Sequence, residues 1–306
     1  MKKTVISLKS AGIGNCLFQY AAGLAFSIKN KTDFYIDVSD ILQSQMPFNK
    51  KISFEEKLKL YNSSLDKLID SKNILKKNRV RIFRGWGSNN NIINLFLKKL
   101  RFYLSCFPVG YYNELINDKS SFFNKKNIYL DGLFIDWRYF NEYSKEIINS
   151  IKFKEISKKS LDFESKLKVL DSVSIHIRRG DYLDNKSVGN KYKIHGVKYV
   201  KKAIKIIETK IPKPNYFIFS DDISWCKSNL SFVKNKNFID TNISDGPVDD
   251  LYLMSKCKNN IISNSTFSWW GAFLNKNKQK VIIIPREWKI DQNVDLTMDK
   301  WIQLEY

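Results

Sequence analysis

Two arginines, a histidine and an aspartate are concentrated in the segment 174–182, which reads S-I-H-I-R-R-G-D-Y. Its first half is apolar enough for a buried β-strand, in which His176 and Arg178 point to the same face. We expect an imidazole and a guanidinium side by side at the carboxyl end of this strand, where ligands bind in open α/β sheets. A fork of N–H donors beside a ring nitrogen suits a diphosphate attached to a planar group. A solvated surface turn is the alternative interpretation.

A second polar cluster follows an apolar strand at 261–271, where the sequence is I-I-S-N-S-T-F-S-W-W-G. Serine and threonine are good N-caps of any helix, so capping alone explains one of these side chains. A run of hydroxyl and amide groups beside free helix N–H groups also suits phosphate oxygens. Asp250 lies on the preceding predicted helix, where its carboxylate would suit the paired N–H donors of guanine. The residues of this cluster predicted to contact a ligand are Ser265, Thr266, Phe267 and Ser268.

A third candidate site is the segment Gly12-Ile13-Gly14-Asn15, between a predicted strand and a predicted helix. Glycines there allow close approach of a ligand, and the helix N-terminus offers N–H groups to an anion. The dinucleotide fingerprint needs a third glycine, but Leu17 holds that position, although Asp37 would suit a ribose hydroxyl. An NAD-dependent oxidoreductase and a simple tight turn therefore both remain as interpretations.

The residues of the three candidate sites must be positioned by strands that end beside them and by the helices that follow. The N-terminal part predicts a strand at 4–8, a loop at 10–14, a helix at 17–28 and a strand at 34–38. The second half predicts strands at 172–178, 215–220, 237–240, 260–263 and 280–284, with helices between them. This alternation predicts an α/β fold with parallel sheets. We place the domain boundary near 165, which gives domains 1–165 and 166–306.

Composition limits the function classes. The 306 residues carry a net charge of +21, which would serve a phosphorylated substrate, an anionic membrane face or nucleic acid. Scattered lysine with no partner explains the same charge, and no nucleic-acid-binding module is recognisable, so no nucleic-acid partner is expected. The aromatic and basic segment 91–107 fits either a core helix or a peripheral contact with the inner membrane. No signal peptide or membrane span is found, which predicts a cytoplasmic protein.

A metal site is not expected. The chain has two histidines, four scattered cysteines and no D-x-D motif after a strand. The neighbours Asp221 and Asp222, like Asp249 and Asp250, should diverge. A diphosphate leaving group would then be neutralised by arginine and helix N-termini alone.

Five ordered motifs resemble those of the glycosyltransferase family 11 α-1,2-fucosyltransferases, in particular the soluble bacterial members. They are G-I-G-N-C-L-F-Q-Y-A-A-G (12–23), H-I-R-R-G-D-Y (176–182), F-S-D-D-I-S-W-C (219–226), S-N-S-T-F-S-W-W-G-A (263–272) and I-I-P-R-E-W (283–288). The resemblance covers nearly the whole chain. It implies two Rossmann-like domains facing a cleft (the GT-B type), and an inverting, metal-independent transfer from GDP-β-L-fucose to O2 of a galactose-containing glycan.

The resemblance also implies roles for single residues. Arg178 would contact the β-phosphate, and the C-terminal domain would bind the nucleotide. By similarity to more distant fucosyltransferases, His176 and Asp250 would face guanine, and Ser265 and Thr266 the phosphates. Cys16 departs from the family, which usually has glutamine there. The further predicted substrate contacts are Gly14, Asn15 and Arg179.

A general base is the least constrained assignment. Inversion invites a group that takes the proton of the acceptor hydroxyl, and Asp181 is the best candidate in the sequence. Asp181 would equally serve to hold Arg179 in a structural ion pair. The acceptor expected from the resemblance is a surface polysaccharide or lipopolysaccharide chain. A non-catalytic basic protein that binds polyanions through 50–107 is the remaining alternative.

Overall fold

The computed structural model describes residues 3–8, 12–38, 67–69, 110–113, 128–180, 195–240, 242–288 and 295–305. The chain divides into two compact units, Met1–Lys152 and Phe153–Tyr306. Among the helices in these ranges, none combines the length and the apolar character needed to cross a bilayer. The predicted segment 91–107 and the candidate base Asp181 lie outside the described residues.

The first unit contains a parallel sheet of four described strands. They are β1 (Lys3–Ser7), β2 (Asp33–Asp37), β3 (Gly110–Asn113) and β4 (Ile128–Asp131), in the order β2-β1-β4-β3. Helix α1 (Ile13–Asn30) follows β1, and two single 3₁₀ turns (Trp137–Tyr139 and Asn141–Tyr143) lead into α2 (Ser144–Ser150). Strand β3 was not predicted from the sequence.

Helix α1 approaches the sheet closely at Gly23. A Cβ at this position would lie 2.9 Å from Ile6 Cβ and 2.7 Å from Phe34 Cε2, so a side chain cannot be accommodated without a shift. The helix ends where Lys31 adopts a left-handed conformation (φ 50°) and donates its N–H to the carbonyl of Ile28. Helix α1 is therefore packed directly onto β1 and β2.

The second unit contains a six-stranded sheet in which every pairing is parallel. Its strands are β5 (Ser172–Ile177), β6 (Asn215–Ser220), β7 (Lys236–Phe238), β8 (Asn259–Ile261), β9 (Ile282–Pro285) and β10 (Ile302–Leu304). Its helices are α3 (Lys158–Val169), α4 (Val197–Lys210), α5 (Ile223–Asn229), α6 (Pro247–Lys256) and α7 (Thr266–Phe273). Two parallel sheets with helices confirm the predicted α/β class.

The strand order β10-β9-β8-β5-β6-β7 reverses direction between β5 and β8. The chain builds β6 and β7 on one side of β5, and it builds β9 and β10 on the far side of β8. Ligands of open α/β sheets bind outside the carboxyl ends of the strands at such a switch point. The two loops expected to bind a ligand are the ones that leave β5 and β8.

Strand β5 is buried along its whole length, because helices cover both faces of the parallel sheet. Val173, Ile175 and Ile177 contribute to a core cluster with apolar side chains of α4 and β6. The predicted strand at 215–220 has the observed bounds. The other predicted strands of this half differ from the observed ones by one or two residues at their ends, and β10 was not predicted.

The domain boundary near 165 differs from the observed division between Lys152 and Phe153. Helix α3 begins at Lys158 and packs against α6 of the second unit. The hydroxyl of Ser160 donates to Asp249 Oδ2 at 3.0 Å, and the hydroxyl of Tyr252 donates to Glu164 Oε2 at 2.6 Å. Residue 165 therefore lies inside a helix of the second unit.

Candidate active site

The arginine loop that follows β5 is held by a carboxylate at the end of β6. Asp221 Oδ1 accepts the backbone N–H of Arg179 at 2.9 Å, and Asp221 Oδ2 accepts that of Gly180 at 3.0 Å. Asp221 Oδ2 also lies 3.1 Å from Arg178 Nη1. The side chain of Arg178 remains one-third exposed, with a relative accessibility of 33%. The loop thus presents a partly exposed guanidinium from a fixed backbone.

The neighbouring guanidinium of Arg179 has a different environment. It lies 3.9 Å from the centroid of the Trp225 ring, and its Nε lies 3.4 Å from Asp222 Oδ2. Asp222 Oδ1 accepts the backbone N–H of Trp225 at 2.9 Å and caps α5. Among the described residues, Arg179 pairs with Asp222, and its alternative pairing with Asp181 stays a prediction.

His176 joins the two loops of the switch point. Its Nδ1 lies 2.8 Å from Ser263 Oγ, and its ring centroid lies 5.7 Å from that of Phe267. Burial, and then the charge of Arg178, lower the pKa of His176 to about 3, so the ring is neutral at physiological pH. Because Nδ1 is bonded to Ser263, the predicted contact with guanine would fall to Nε2.

Helix α7 begins at Thr266, after the loop that leaves β8. Ser265 is the N-cap residue, but its side chain makes no capping hydrogen bond. Ser268 is fully buried, and its hydroxyl donates to the carbonyl of Ser265 at 3.2 Å. The amide of Asn264 donates to the carbonyl of Trp288 at 3.0 Å. Within the polar run, Asn264 and Ser268 therefore bond to the protein, and Ser265 and Thr266 lie at the N-cap and at the first residue of α7.

The body of α7 fixes the direction of its N-terminus. Trp269 Nε1 donates to the carbonyl of Leu296 at 2.9 Å. Gly271 lies so close to α6 that a Cβ would come within 2.9 Å of Met254 Cβ. A helix buried from Ser268 onward cannot turn without disrupting this packing, so its N–H groups point in a constant direction.

Asp249 and Asp250 are adjacent on α6, but their carboxylates have different environments, as expected for side chains that point apart. Asp249 is buried and accepts hydrogen bonds from Ser157 N–H, the Ser160 hydroxyl and Asp245 N–H. Burial raises its pKa, but these bonds outweigh burial and lower it overall. For the partly buried Asp250, burial and the nearby charge of Asp249 outweigh a hydrogen bond from Ser244 and raise the pKa to about 6.

Gly14 and Asn15 lie in the first turn of α1, because the helix begins at Ile13 and not at 17 as predicted. Gly12 is the N-cap residue, with the ordinary extended conformation φ −74°. Cys16 is buried, and burial raises the pKa of its thiol to about 12. The residue at this position packs inside the first unit, so the exchange of glutamine for cysteine is a change in the interior.

Asp37 lies at the end of β2, where it accepts a hydrogen bond from the hydroxyl of Tyr129 at 2.9 Å. It is 3% exposed. Its role toward a ribose hydroxyl stays a prediction, in which the hydroxyl would have to reach a buried carboxylate.

Within the described ranges, no group of three or more histidine, cysteine, aspartate or glutamate side chains is arranged to hold a metal ion. Asp221 and Asp222 contact arginines instead. Sequence analysis used F-S-D-D-I-S-W-C as a marker of resemblance and took Asp221 and Asp222 to diverge, but it missed both the carboxylate that anchors the loop and the Trp225 ring that lies against Arg179. The available signal was an aspartate pair directly after β6, the neighbour of the arginine-bearing strand.

The family model for Glycosyl transferase family 11 matches residues 5–305. An O-antigen biosynthesis glycosyltransferase of Escherichia coli, WbnK, is 32% identical over 97% of this chain and 99% of its own length. An alpha-1,2-colitosyltransferase of Escherichia coli is 29% identical over 98% of this chain and 99% of its own length.

Two solved structures share the fold at low sequence identity. The NodZ alpha-1,6-fucosyltransferase soaked with GDP-fucose has a TM-score of 0.51 and 14% identity, over 89% of this chain and 92% of the other. Arabidopsis thaliana FUT1 in complex with GDP has a TM-score of 0.52 and 10% identity, over 92% of this chain and 70% of the other.

Proposed function

Because the chain belongs to glycosyltransferase family 11, we propose that it transfers L-fucose from GDP-β-L-fucose to the 2-hydroxyl of a galactose-like residue. The proposed reaction inverts the anomeric configuration and uses no metal ion. Family membership supports glycosyl transfer over the oxidoreductase and the non-catalytic polyanion-binding protein. The particular donor, linkage and stereochemistry are our inference from the family resemblance.

One observation carries this proposal: an arginine and a helix N-terminus flank the switch point of the second sheet. Arg178 follows β5, the N-terminus of α7 follows β8, and Ile175 and Ile261 are paired across the two strands. The bond between His176 and Ser263 ties the two loops together just beyond this pair. A diphosphate placed there would meet a guanidinium and helix N–H groups at once.

The chemistry follows from where charge develops. As the bond to fucose breaks, negative charge grows on the β-phosphate and positive charge on the sugar ring. Arg178 and the first turn of α7, with Ser265 and Thr266, stabilise the leaving diphosphate as donors that are already in place. Loss of one such donor typically costs about 10²–10³-fold in rate. Arg178→Ala is therefore expected to lower kcat by that factor while the protein stays folded.

We assign recognition of the guanine ring to residues of α6 and β5. The Asp250 carboxylate accepts the paired N–H groups of guanine, because it is partly exposed and, with a pKa of about 6, is mostly ionised at pH 7. The neutral His176 offers a ring nitrogen without adding a charge next to Arg178. Arg179, stacked on Trp225, supports the same loop.

The acceptor side rests on fewer observations. Asp181 stays our candidate for the base that takes the proton of the acceptor hydroxyl, and Gly14 and Asn15 our candidates for contacts from α1. A surface polysaccharide or lipopolysaccharide chain is the proposed acceptor, since a relative spanning nearly the whole chain is named for O-antigen biosynthesis. A peripheral membrane contact through 91–107 stays a prediction.

The test is a transfer assay with GDP-fucose and a panel of β-galactosides, in which the linkage and anomeric configuration of the product are determined by NMR. GDP-colitose should be run in parallel, because a 29% identical relative is named an alpha-1,2-colitosyltransferase. An α-1,2-fucosylated galactoside supports the proposal. If only colitose is transferred, GDP-colitose replaces GDP-fucose as the proposed donor. If another linkage forms, the proposed acceptor hydroxyl is wrong. Turnover by Arg178→Ala close to that of the unaltered enzyme would refute the proposed role of the arginine.

A further inference from the structure

We propose that Asp221 is a positioning residue for the transfer reaction: it acts through Arg178 and sets the guanidinium in the place where the leaving diphosphate forms. The inference rests on the proposed function, because it assigns Arg178 to that diphosphate. Asp221 itself contacts the protein, and its part is to hold the arginine loop.

A single carboxylate makes three contacts with three consecutive residues. Its two oxygens accept the N–H groups of Arg179 and Gly180, and one of them also lies 3.1 Å from Arg178 Nη1. Backbone and side chain of the loop are therefore tied to the same point at the end of β6. Hydrogen bonds to a charged acceptor are about twice as strong as neutral ones, which suits a loop that must not move.

Gly180 supplies a second, independent observation. Its backbone is not in a conformation that requires glycine, since positive φ is found at Gly246 alone among the described glycines. The constraint is steric: a Cβ would come within 3.0 Å of Asp221 Oδ2 and 3.4 Å of its Cγ. A side chain at position 180 would therefore push the carboxylate of Asp221 aside by a few tenths of an ångström.

The adjacent aspartate has a separate task, which isolates the contribution of Asp221. Asp222 caps α5 and contacts Arg179, whose ring partner is Trp225. The side chain of Arg178 pairs with Asp221, and the side chain of Arg179 pairs with Asp222. A guanidinium carries five N–H donors, more than one carboxylate can accept, so this pairing is compatible with donation to a phosphate.

Positioning matters because arginine is long. Ordering a flexible side chain when the substrate binds costs free energy that a held side chain has already lost. A guanidinium fixed before binding also needs no reorganisation as charge develops in the transition state. Removal of Asp221 should therefore reduce kcat more than it changes the KM for the donor.

The experiment is a double-mutant cycle on turnover with radiolabelled GDP-fucose, using Asp221→Asn, Arg178→Ala and the double variant. Asp221→Asn should lower kcat by about 10- to 100-fold, below the 10²–10³-fold cost of losing the donor itself. In the Arg178→Ala background the same substitution should cost about 2-fold or less, since its target is gone. Asp171→Asn is the matched control. It removes the same charge before the opposite end of β5, where Asp171 pairs with Lys258 at 3.1 Å, and it should leave kcat unchanged.

Gly180→Ala is the second variant, and it keeps every charge. It should lower kcat in the same direction as Asp221→Asn, with thermal unfolding as the check that both proteins are folded. An equal cost of Asp221→Asn in the two Arg178 backgrounds would overturn the inference, as would a normal kcat for folded Asp221→Asn. Absence of fucosyl transfer by the unaltered enzyme is a different result, because it refutes the proposed function and not the contacts of Asp221.

Discussion

The buried histidine of β5 and the carboxylate of α6 should have opposite effects on stability between pH 6 and pH 4.5. The pKa of His176 is lowered to about 3 in the folded protein. Below pH 6.5 this histidine therefore binds a proton in the unfolded chain but not in the folded one, so the stability decreases as the pH decreases. The pKa of Asp250 is raised to about 6, so the folded chain binds its proton first, and stability rises as pH falls through 6.

The magnitudes follow from these pKa values and those of the unfolded chain. Over this interval neutral His176 should cost about 2 kcal/mol, while protonation of Asp250 should return about 1.5 kcal/mol at most. The second figure is an upper limit, because Asp250 is partly exposed and solvent screens its charge. The two contributions nearly cancel in the unaltered protein, so each becomes visible only when the other is removed.

The assay is urea unfolding at several pH values, followed by tryptophan fluorescence. Five of the seven tryptophans report on the second unit: Trp225, Trp269, Trp270, Trp288 and Trp301. Relative to the unaltered protein, Asp250→Asn should lose an additional 1.5 kcal/mol or so from pH 6 to pH 4.5. His176→Asn, which keeps a polar atom for Ser263, should instead lose about 2 kcal/mol less.

Parallel pH curves for Asp250→Asn and the unaltered protein would refute the raised pKa of Asp250. A parallel curve for His176→Asn would mean that the histidine takes up its proton in the folded state. The lowered pKa values of Glu164, Asp240 and Asp249 act mainly below pH 4.5, outside the interval used.

Three further predictions concern binding, packing and metal ions. If the ionised Asp250 accepts from guanine, GDP affinity measured by calorimetry should fall about 5-fold from pH 6 to pH 5, and Asp250→Asn should bind weakly without this dependence. An unchanged pH slope in the variant would contradict the assignment. Gly23→Ala should lower the free energy of unfolding by about 1–3 kcal/mol through overpacking against Ile6 and Phe34, as thermal unfolding would report. Gly196→Ala is the control, since its Cβ would meet nothing closer than 4.0 Å, and equal effects of the two would argue against overpacking. Dialysis against EDTA should leave turnover unchanged, and activity that returns only with added magnesium or manganese would contradict a metal-independent reaction.

The sequence predicted the elements that carry strong periodicity. Strand β5 and the helix–strand alternation after it are apolar and regular, so their positions were close to those observed. The family resemblance and the α/β class were confirmed. The start of α1 was missed because Gly14 suggested a loop, yet a glycine in a first turn is tolerated when the rest of the helix is well packed.

The partners within the site were harder to predict. The bond between His176 and Ser263 joins residues 87 positions apart, and the contact between Arg178 and Asp221 depends on the pairing of β5 with β6. Periodicity gives the bounds of a strand but not the identity of its neighbours. The roles of Ser268 as an internal donor and of Asp222 as the partner of Arg179 therefore required the three-dimensional arrangement.

The pairing of each arginine with its own aspartate has a consequence for ionic strength. Arg178 and Arg179 each face a carboxylate, so the loop itself is close to electroneutral although the chain carries +21. Long-range attraction of an anionic nucleotide sugar must then come from lysines elsewhere, and added salt screens such attraction over roughly 10 Å. Salt should slow the encounter with the donor, whereas the catalytic step, at contact distance, should be far less sensitive.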